Sequence, residues 1–372
     1  MDGHRQHPRE TITKPRLESI DIARGFGIFF VLLGHNLWAR SRGSAVIFNF
    51  HMPLFFFLSG LFFSPGKAQM WNDIRRKVLS ILAPVPFFAL LGCSVFLAQP
   101  ELSGDCSMKT LYGLFVHGEP WYDKPLWFFT SLAGVVLAFS FASRLLSGPH
   151  RTFRIGSFFA ICLALSFAAA ATPPAFRKLW SPAMLPTIPL GLFWYGLGHF
   201  SRPAVDRLER CRTNAPVLLT AAAVLGLLLL VWSDVATKPD LRTARIGSWL
   251  LFPRSILGIS CVLLAARAVP RRIGKTVAWI GRNSIVFFAL EFVTFPFIAK
   301  ALGILVPGYR HFRVAERTDL WQSLVAVAAQ LAVLAALTPL VTRMLSRLRP
   351  WLDLAGPSSE PAHGSPSPEE NT

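Results

Sequence analysis

The sequence predicts an all-α, polytopic integral membrane protein of about ten transmembrane helices, and three observations carry that prediction. Of the 372 residues, 52% are hydrophobic and only 16% are charged, whereas a soluble domain of this size carries roughly a quarter charged residues. Apolar runs of about 17 to 22 residues recur along the chain, the length needed to cross a hydrocarbon layer of about 30 Å. Short Arg-rich turns separate the runs, as membrane topology requires. The net charge of +18 sits in those turns and is not gathered on one face, which argues against a nucleic-acid partner.

The spans are expected at about 19–39, 46–65, 78–98, 125–143, 155–172, 184–200, 215–232, 249–266, 277–298 and 321–342. With the N-terminus inside, about 24 of the 38 Lys and Arg residues lie on the inner side, which predicts an N-in, C-in arrangement. Residues 1–15 read as a flexible cytoplasmic leader and 16–350 as the membrane domain. Residues 351–372, rich in Pro, Ser and Glu, read as a disordered cytoplasmic tail. The leader lacks a signal-peptide pattern, so the first span is expected to act as an uncleaved anchor.

The first span carries Asp21, Arg24 and His35, and ionisable residues inside a span default to a functional role. Arg24 and His35 are 11 residues apart, about 1100° of helix, so they share a face with about 16 Å between them. They are aligned as if along a channel, with Ile28, Val31 and Leu32 in the stripe between. Asp21 lies one turn before Arg24 and is placed to pair with it. Gly27 and Gly34 line another face, where a neighbouring helix can approach closely. The second span is antiparallel to the first and opens with His51 at about the depth of His35. Ser59–Gly60 near its other end permits close backbone approach of a ligand or a helix.

The loop after the second span holds Lys67, Arg75, Arg76 and Lys77. These serve as stop-transfer charges and equally as contacts for an anionic cytosolic donor. Residues 99–124 form the longest outer loop, ending in GEPWYDKPLWFF. That segment reads as a solvated cap or as a sugar-binding lip with Asp123 and Trp127 as the candidate residues, a carboxylate for hydroxyls and an indole for stacking. Cys106 is the one cysteine expected in an outer loop, so no outer-loop disulfide is expected, and no metal-ligand spacing is present. Prolines punctuate the Ala/Leu-rich fifth to seventh spans. Arg254, at the outer start of the eighth, either snorkels or meets an anion in a cavity. Glu291 in the ninth span, IGRNSIVFFALEFVTFP, must be paired, protonated or facing water; it either lines the site or bonds to a neighbouring helix.

The run ESIDIARG, then Arg24 and His35 with ten residues between, then FHMPLFFFLSG, PLWFF and IGRNSI resembles the membrane-bound acyltransferase family 3. The likeness is nearest to the fucose 4-O-acetylase-like branch of surface-polysaccharide O-acyltransferases. It implies about ten helices in a bacterial plasma membrane. It also implies transfer of an acyl group, usually acetyl, from cytoplasmic acyl-CoA to a hydroxyl of a carbohydrate or glycolipid. The family's basic-histidine motif falls on Arg24 and His35, and its FHMPLFF…SG motif on Phe50, His51, Pro53, Phe56, Ser59 and Gly60. Many relatives carry a histidine where Glu291 stands, a departure that leaves the role of that position open.

Acyl transfer needs a base for the hydroxyl, a group to hold the thioester carbonyl and a dry route between donor and acceptor. His35 is the candidate base or transient acyl carrier. His51 can orient His35, polarise the carbonyl or touch the acceptor. Arg24, held by Asp21, suits a CoA phosphate, with Arg75 and Arg76 as further donor contacts. Asp123, Trp127, Glu291 and Ser59 are the candidates for the acceptor side. The main rival is an exporter of a glycan or small anion, which needs no acyl-CoA; the internal repeats common in such folds are not seen.

Overall fold

A computed structural model describes residues 18–37, 41–63, 70–97, 124–172, 182–211, 213–241, 244–307, 309 and 320–352. The chain runs as α1 (Glu18–Asn36), α2 (Arg42–Leu61), α3 (Met70–Leu82), α4 (Pro84–Leu97), α5 (Trp127–Leu145) and α6 (Arg151–Ala171). It continues as α7 (Ile188–Arg210), α8 (Ala215–Trp232), α9 (Leu251–Ala268), α10 (Arg271–Arg282), α11 (Ser284–Leu305) and α12 (Leu320–Leu352). Among the described residues there is no strand, only an isolated bridge between Asp240 and Arg245. Among the described residues, eight helical segments are long and apolar enough to cross a membrane. α1 and α7 coincide with the other two expected spans. Each carries more polar residues, and in α1 these include the buried Asp21 and Asn36.

α1 lies between α2 and α10, with α9, α11 and α12 around it. Its glycines decide those approaches. A Cβ at Gly27 would meet Phe55 at 2.8 Å, and one at Gly34 would meet Ile47 at 2.9 Å, so α2 packs on the glycine face. On the other side, a Cβ at Gly281 would run into the Asp21 carbonyl. α10 therefore presents its buried Gly274, Ala278 and Gly281 to α1. α2 and α7 interlock in the same way: a Cβ at Gly60 would strike the Tyr195 carbonyl, and one at Gly198 the Phe57 carbonyl. Gly60 thus serves a helix contact.

Three expected boundaries move for identifiable reasons. The span expected at 277–298 is two helices. Asn283 ends α10, its N–H donating to the Trp279 and Ile280 carbonyls and its side-chain amide also donating to Trp279. The span expected at 78–98 is broken at Ala83, where Pro84 lacks the N–H to continue. α12 runs to Leu352 instead of ending near 342 and so takes in the start of the expected tail. The leader, residues 1–15, and residues 353–372 lie outside the described residues.

Pro53, inside α2, leaves the Asn49 carbonyl without its helical donor. The Ser255 hydroxyl on α9 donates to that carbonyl, across a buried contact. The cysteine expectation is corrected as well: Cys93, near the end of α4, is disulfide-bonded. That reading had counted only loop cysteines, and Cys106 lies outside the described residues. Cys162, Cys211 and Cys261 are free thiols.

Candidate active site

His35 sits in the last turn of α1. Its Nδ1–H donates to Glu291 Oε1 on α11 in a short hydrogen bond. Glu291 is 1% exposed. Its backbone carbonyl accepts from Gln330 Nε2 of α12 at 2.8 Å, and Gln330 Oε1 accepts from Asn36 Nδ2 at 3.1 Å. The Ser323 hydroxyl donates to the Asn36 carbonyl at 3.0 Å. A buried polar network thus locks the end of α1 to α11 and α12, and the His35 ring is fixed at its centre. With Nδ1 carrying the proton, the lone pair lies on Nε2.

His35 opens onto a cavity of about 230 Å³. α2 contributes Phe48, His51 and Met52 to its wall, and Pro125 and Trp127 enter from the start of α5. The His35 and His51 rings are 6.4 Å apart, centroid to centroid. His51 Nδ1–H donates to the Ile47 carbonyl at 2.9 Å, which leaves its Nε2 as an acceptor. Glu291 is not among the lining residues; its described partner is His35.

The stretch 233–241, after α8, places Asp240 and Leu241 in the cavity wall. It is stitched to α2 from below. Arg42 Nε donates to the Ser233 carbonyl, Asn49 Nδ2 to the Ser233 hydroxyl, and Lys238 Nζ to Ser44 Oγ at 2.7 Å. The Lys238 ammonium also lies 3.8 Å from the Phe48 ring centroid. Burial pushes the Lys238 amine down to about 8, against the opposing pull of Asp240. Arg254 is 3% exposed and donates from Nη1 to Thr237 Oγ1 at 2.9 Å. It is therefore drawn under this segment and does not snorkel. Gly247 has φ 74°, and a Cβ there would collide with the Thr237 carbonyl, so the backbone there requires glycine.

At the other end of α1, Asp21 is buried, with Arg24 Nη1 at 3.9 Å and Arg282 Nη1 of α10 at 3.7 Å. The Arg24 guanidinium lies 4.8 Å over Phe62, and Lys77 Nζ lies 5.0 Å over the adjoining Phe63. Arg75 and Arg76 are exposed on α3 beside Lys77. Arg24 and His35 both meet α2, as their shared face implies. The channel between them is not open, however. Ile28 and Val31 are each 1% exposed and Leu32 is fully buried, and the cavity at His35 does not include Arg24.

The structure therefore gathers His35, His51 and Trp127 at one cavity, with Glu291 behind His35, and sets Arg24, Asp21, Arg75 and Arg76 at the opposite end. Ser59 is half-buried on α2 and does not line the His35 cavity, and Asp123 is outside the described residues. Sequence reasoning missed Asp240, Lys238, Arg282 and Gln330. Gln330 carried a signal, an amide in the middle of an apolar span. Asp240 and Lys238 carried none, since a charged loop residue looks the same whether or not it folds over a cavity.

A family model for an acyltransferase domain, of the type 3 class, matches residues 17–343. The chain belongs to the acyltransferase 3 family. No curated protein matches it. The match runs from the start of α1 almost through α12, so both ends of the site lie inside it. As an acyltransferase of this family with eight membrane-compatible helical segments, it is a multi-pass membrane enzyme.

Proposed function

We propose that this acyltransferase moves an acyl group, acetyl in the simplest case, from acyl-CoA at the Arg24 end to a hydroxyl of a carbohydrate or glycoconjugate in the His35 cavity. The observation that carries this reading is the carboxylate–imidazole pair of Glu291 and His35 opening onto a cavity that also holds His51, Asp240 and Trp127. Glu291 fixes the tautomer and stabilises the imidazolium that forms. His35 Nε2 takes the proton from the acceptor hydroxyl as its oxygen attacks the thioester carbonyl. The C–S bond then breaks, and the CoA thiolate leaves with the proton from His35. His51, with its Nδ1–H spent on Ile47, offers Nε2 as an acceptor and so suits orienting the hydroxyl better than polarising the carbonyl. The Trp127 indole and the Asp240 carboxylate supply a stacking face and hydroxyl acceptors for a sugar.

At the donor end, Arg24 and Arg282 bracket one buried carboxylate and present two guanidiniums to a CoA phosphate, with Arg75, Arg76 and Lys77 beside them. The orientation that fits is N-in and C-in across a bacterial plasma membrane. The test is to incubate membranes containing the protein with labelled acetyl-CoA and to separate glycans and lipids. Label on a glycan or glycolipid supports the reading; acetyl-CoA consumption with no labelled glycan or glycolipid contradicts it.

A further inference from the structure

A second cavity, of about 300 Å³, lies at the Arg24 end of the bundle but on a different face of α1. On α1, Glu18, Ser19 and Ile22 line it, and Arg24 does not. The other walls come from the C-terminal ends of α7 and α9 and from the first turn of α10.

Its polar groups are unusual in what they lack. Arg267 has a side chain 9% exposed and is held on two edges. Its Nη2 donates to the Cys211 carbonyl at 2.7 Å, and its Nε is 3.8 Å from Glu209 Oε1. Its Nη1 is buried with no hydrogen-bond partner, and so is the Ser19 hydroxyl. α10 begins after Pro270 with no side-chain cap, and its first-turn residues Arg271 and Gly274 line the same cavity. The first N–H groups of a helix have no partner within the helix. The unpartnered Arg267 Nη1, a hydroxyl and an uncapped helix N-terminus thus belong to residues of one cavity lining, with Arg271 adding a second cation. Glu209 also lines the cavity but already pairs with Arg267, and Glu18 is exposed at the rim.

Buried donors left unmade are costly, and a guanidinium N–H, a hydroxyl and the first N–H groups of a helix lining one cavity are the donors that suit a phosphate. We propose that the cavity between Ser19, Arg267 and the start of α10 is a phosphate-binding site, separate from the donor end at Arg24. The phosphate comes either from an anionic phospholipid headgroup, since the cavity opens at the helix ends, or from a soluble phosphate compound. The site does not depend on acyl transfer being the reaction, and its test does not measure activity.

The protein, purified without phosphate, is placed in nanodiscs of phosphatidylcholine and titrated with inorganic phosphate, with chloride at matched ionic strength as the control. Thermal unfolding is followed by tryptophan fluorescence. Phosphate raises the midpoint and chloride does not. Arg271→Gln, at an exposed position, weakens the apparent affinity about tenfold, and Ser19→Ala about fivefold. Nanodiscs containing phosphatidylglycerol separate the two sources. Stabilisation by that lipid, with loss of the phosphate response, assigns a headgroup; a phosphate response that persists assigns a soluble ligand. The proposal is overturned if neither phosphate nor phosphatidylglycerol shifts the midpoint, or if both variants respond as the unmodified protein does.

Discussion

At the residue scale, the proposed chemistry turns on which proton His35 holds. Its Nδ1–H is committed to Glu291, so the account assigns Glu291 a positioning role. Glu291→Gln keeps the size but weakens the acceptor and permits the wrong tautomer. Its kcat is expected to fall about 10²-fold with the acyl-CoA KM little changed, a split that steady-state kinetics on the purified enzyme reads directly. Lys238 gives a second prediction. Its amine sits at about 8, below its ordinary 10.5, so between those values the unfolded chain keeps a proton that the folded chain sheds. Stability therefore rises with pH across that window. Thermal midpoints of the unmodified protein measured from pH 8 to 10.5 should rise relative to those of Lys238→Met, which lacks the group. Arg24, His35, His51 and Glu291 were legible in the sequence because an ionisable group in a membrane span is too expensive to be incidental. What Glu291 touches was not legible, because its partner lies 256 residues away.

At the element scale, helix existence was legible and helix breaks were not. Hydropathy merges α10 into the following span, because Val277, Ala278, Trp279 and Ile280 look like membrane residues. In the fold they turn a small-residue face to α1, and Asn283 closes the helix. The Pro53 site shows the same limit. A proline in an apolar run announces a freed carbonyl, but not that Ser255 of α9 will satisfy it. Ser255→Ala leaves the Asn49 carbonyl buried and unpaired. It should lower stability by about 1–3 kcal/mol, measured by chemical or thermal denaturation in detergent, while Ser255→Thr, which keeps the hydroxyl, should lose less. Residues 233–241 are held beside the cavity by Lys238 and Arg254, with the positive-φ Gly247 packed on Thr237. Gly247→Ala forces a Cβ into the Thr237 carbonyl and should raise the acceptor KM by loosening that wall, with the acyl-CoA KM less affected.

At the scale of the whole molecule, the fold separates two kinds of chemistry along α1. Guanidiniums and a buried carboxylate occupy one end, and imidazoles with a cavity occupy the other. Between them, Ile28, Val31 and Leu32 are packed into the core, so a thioester arriving from the Arg24 end must part this stripe to reach His35. The expected N-in, C-in topology puts the cationic end of α1 on the cytosolic side. A C-terminal green fluorescent protein fusion should therefore fluoresce, and a C-terminal alkaline phosphatase fusion should be inactive; the reverse pattern would place the cationic end outside. Composition made this axial division readable, since charges in turns and apolar runs between them fix the spans. The closure of the route between the two ends was not readable, because it depends on how α1 and α2 interdigitate.

The most direct measurement is the rate of label transfer from acetyl-CoA to acceptor by the purified enzyme and by His35→Ala, both shown to be folded by matching elution profiles and thermal midpoints. The account predicts that transfer is lost in the variant and retained in the unmodified enzyme. Transfer by folded His35→Ala at the unmodified rate would contradict it.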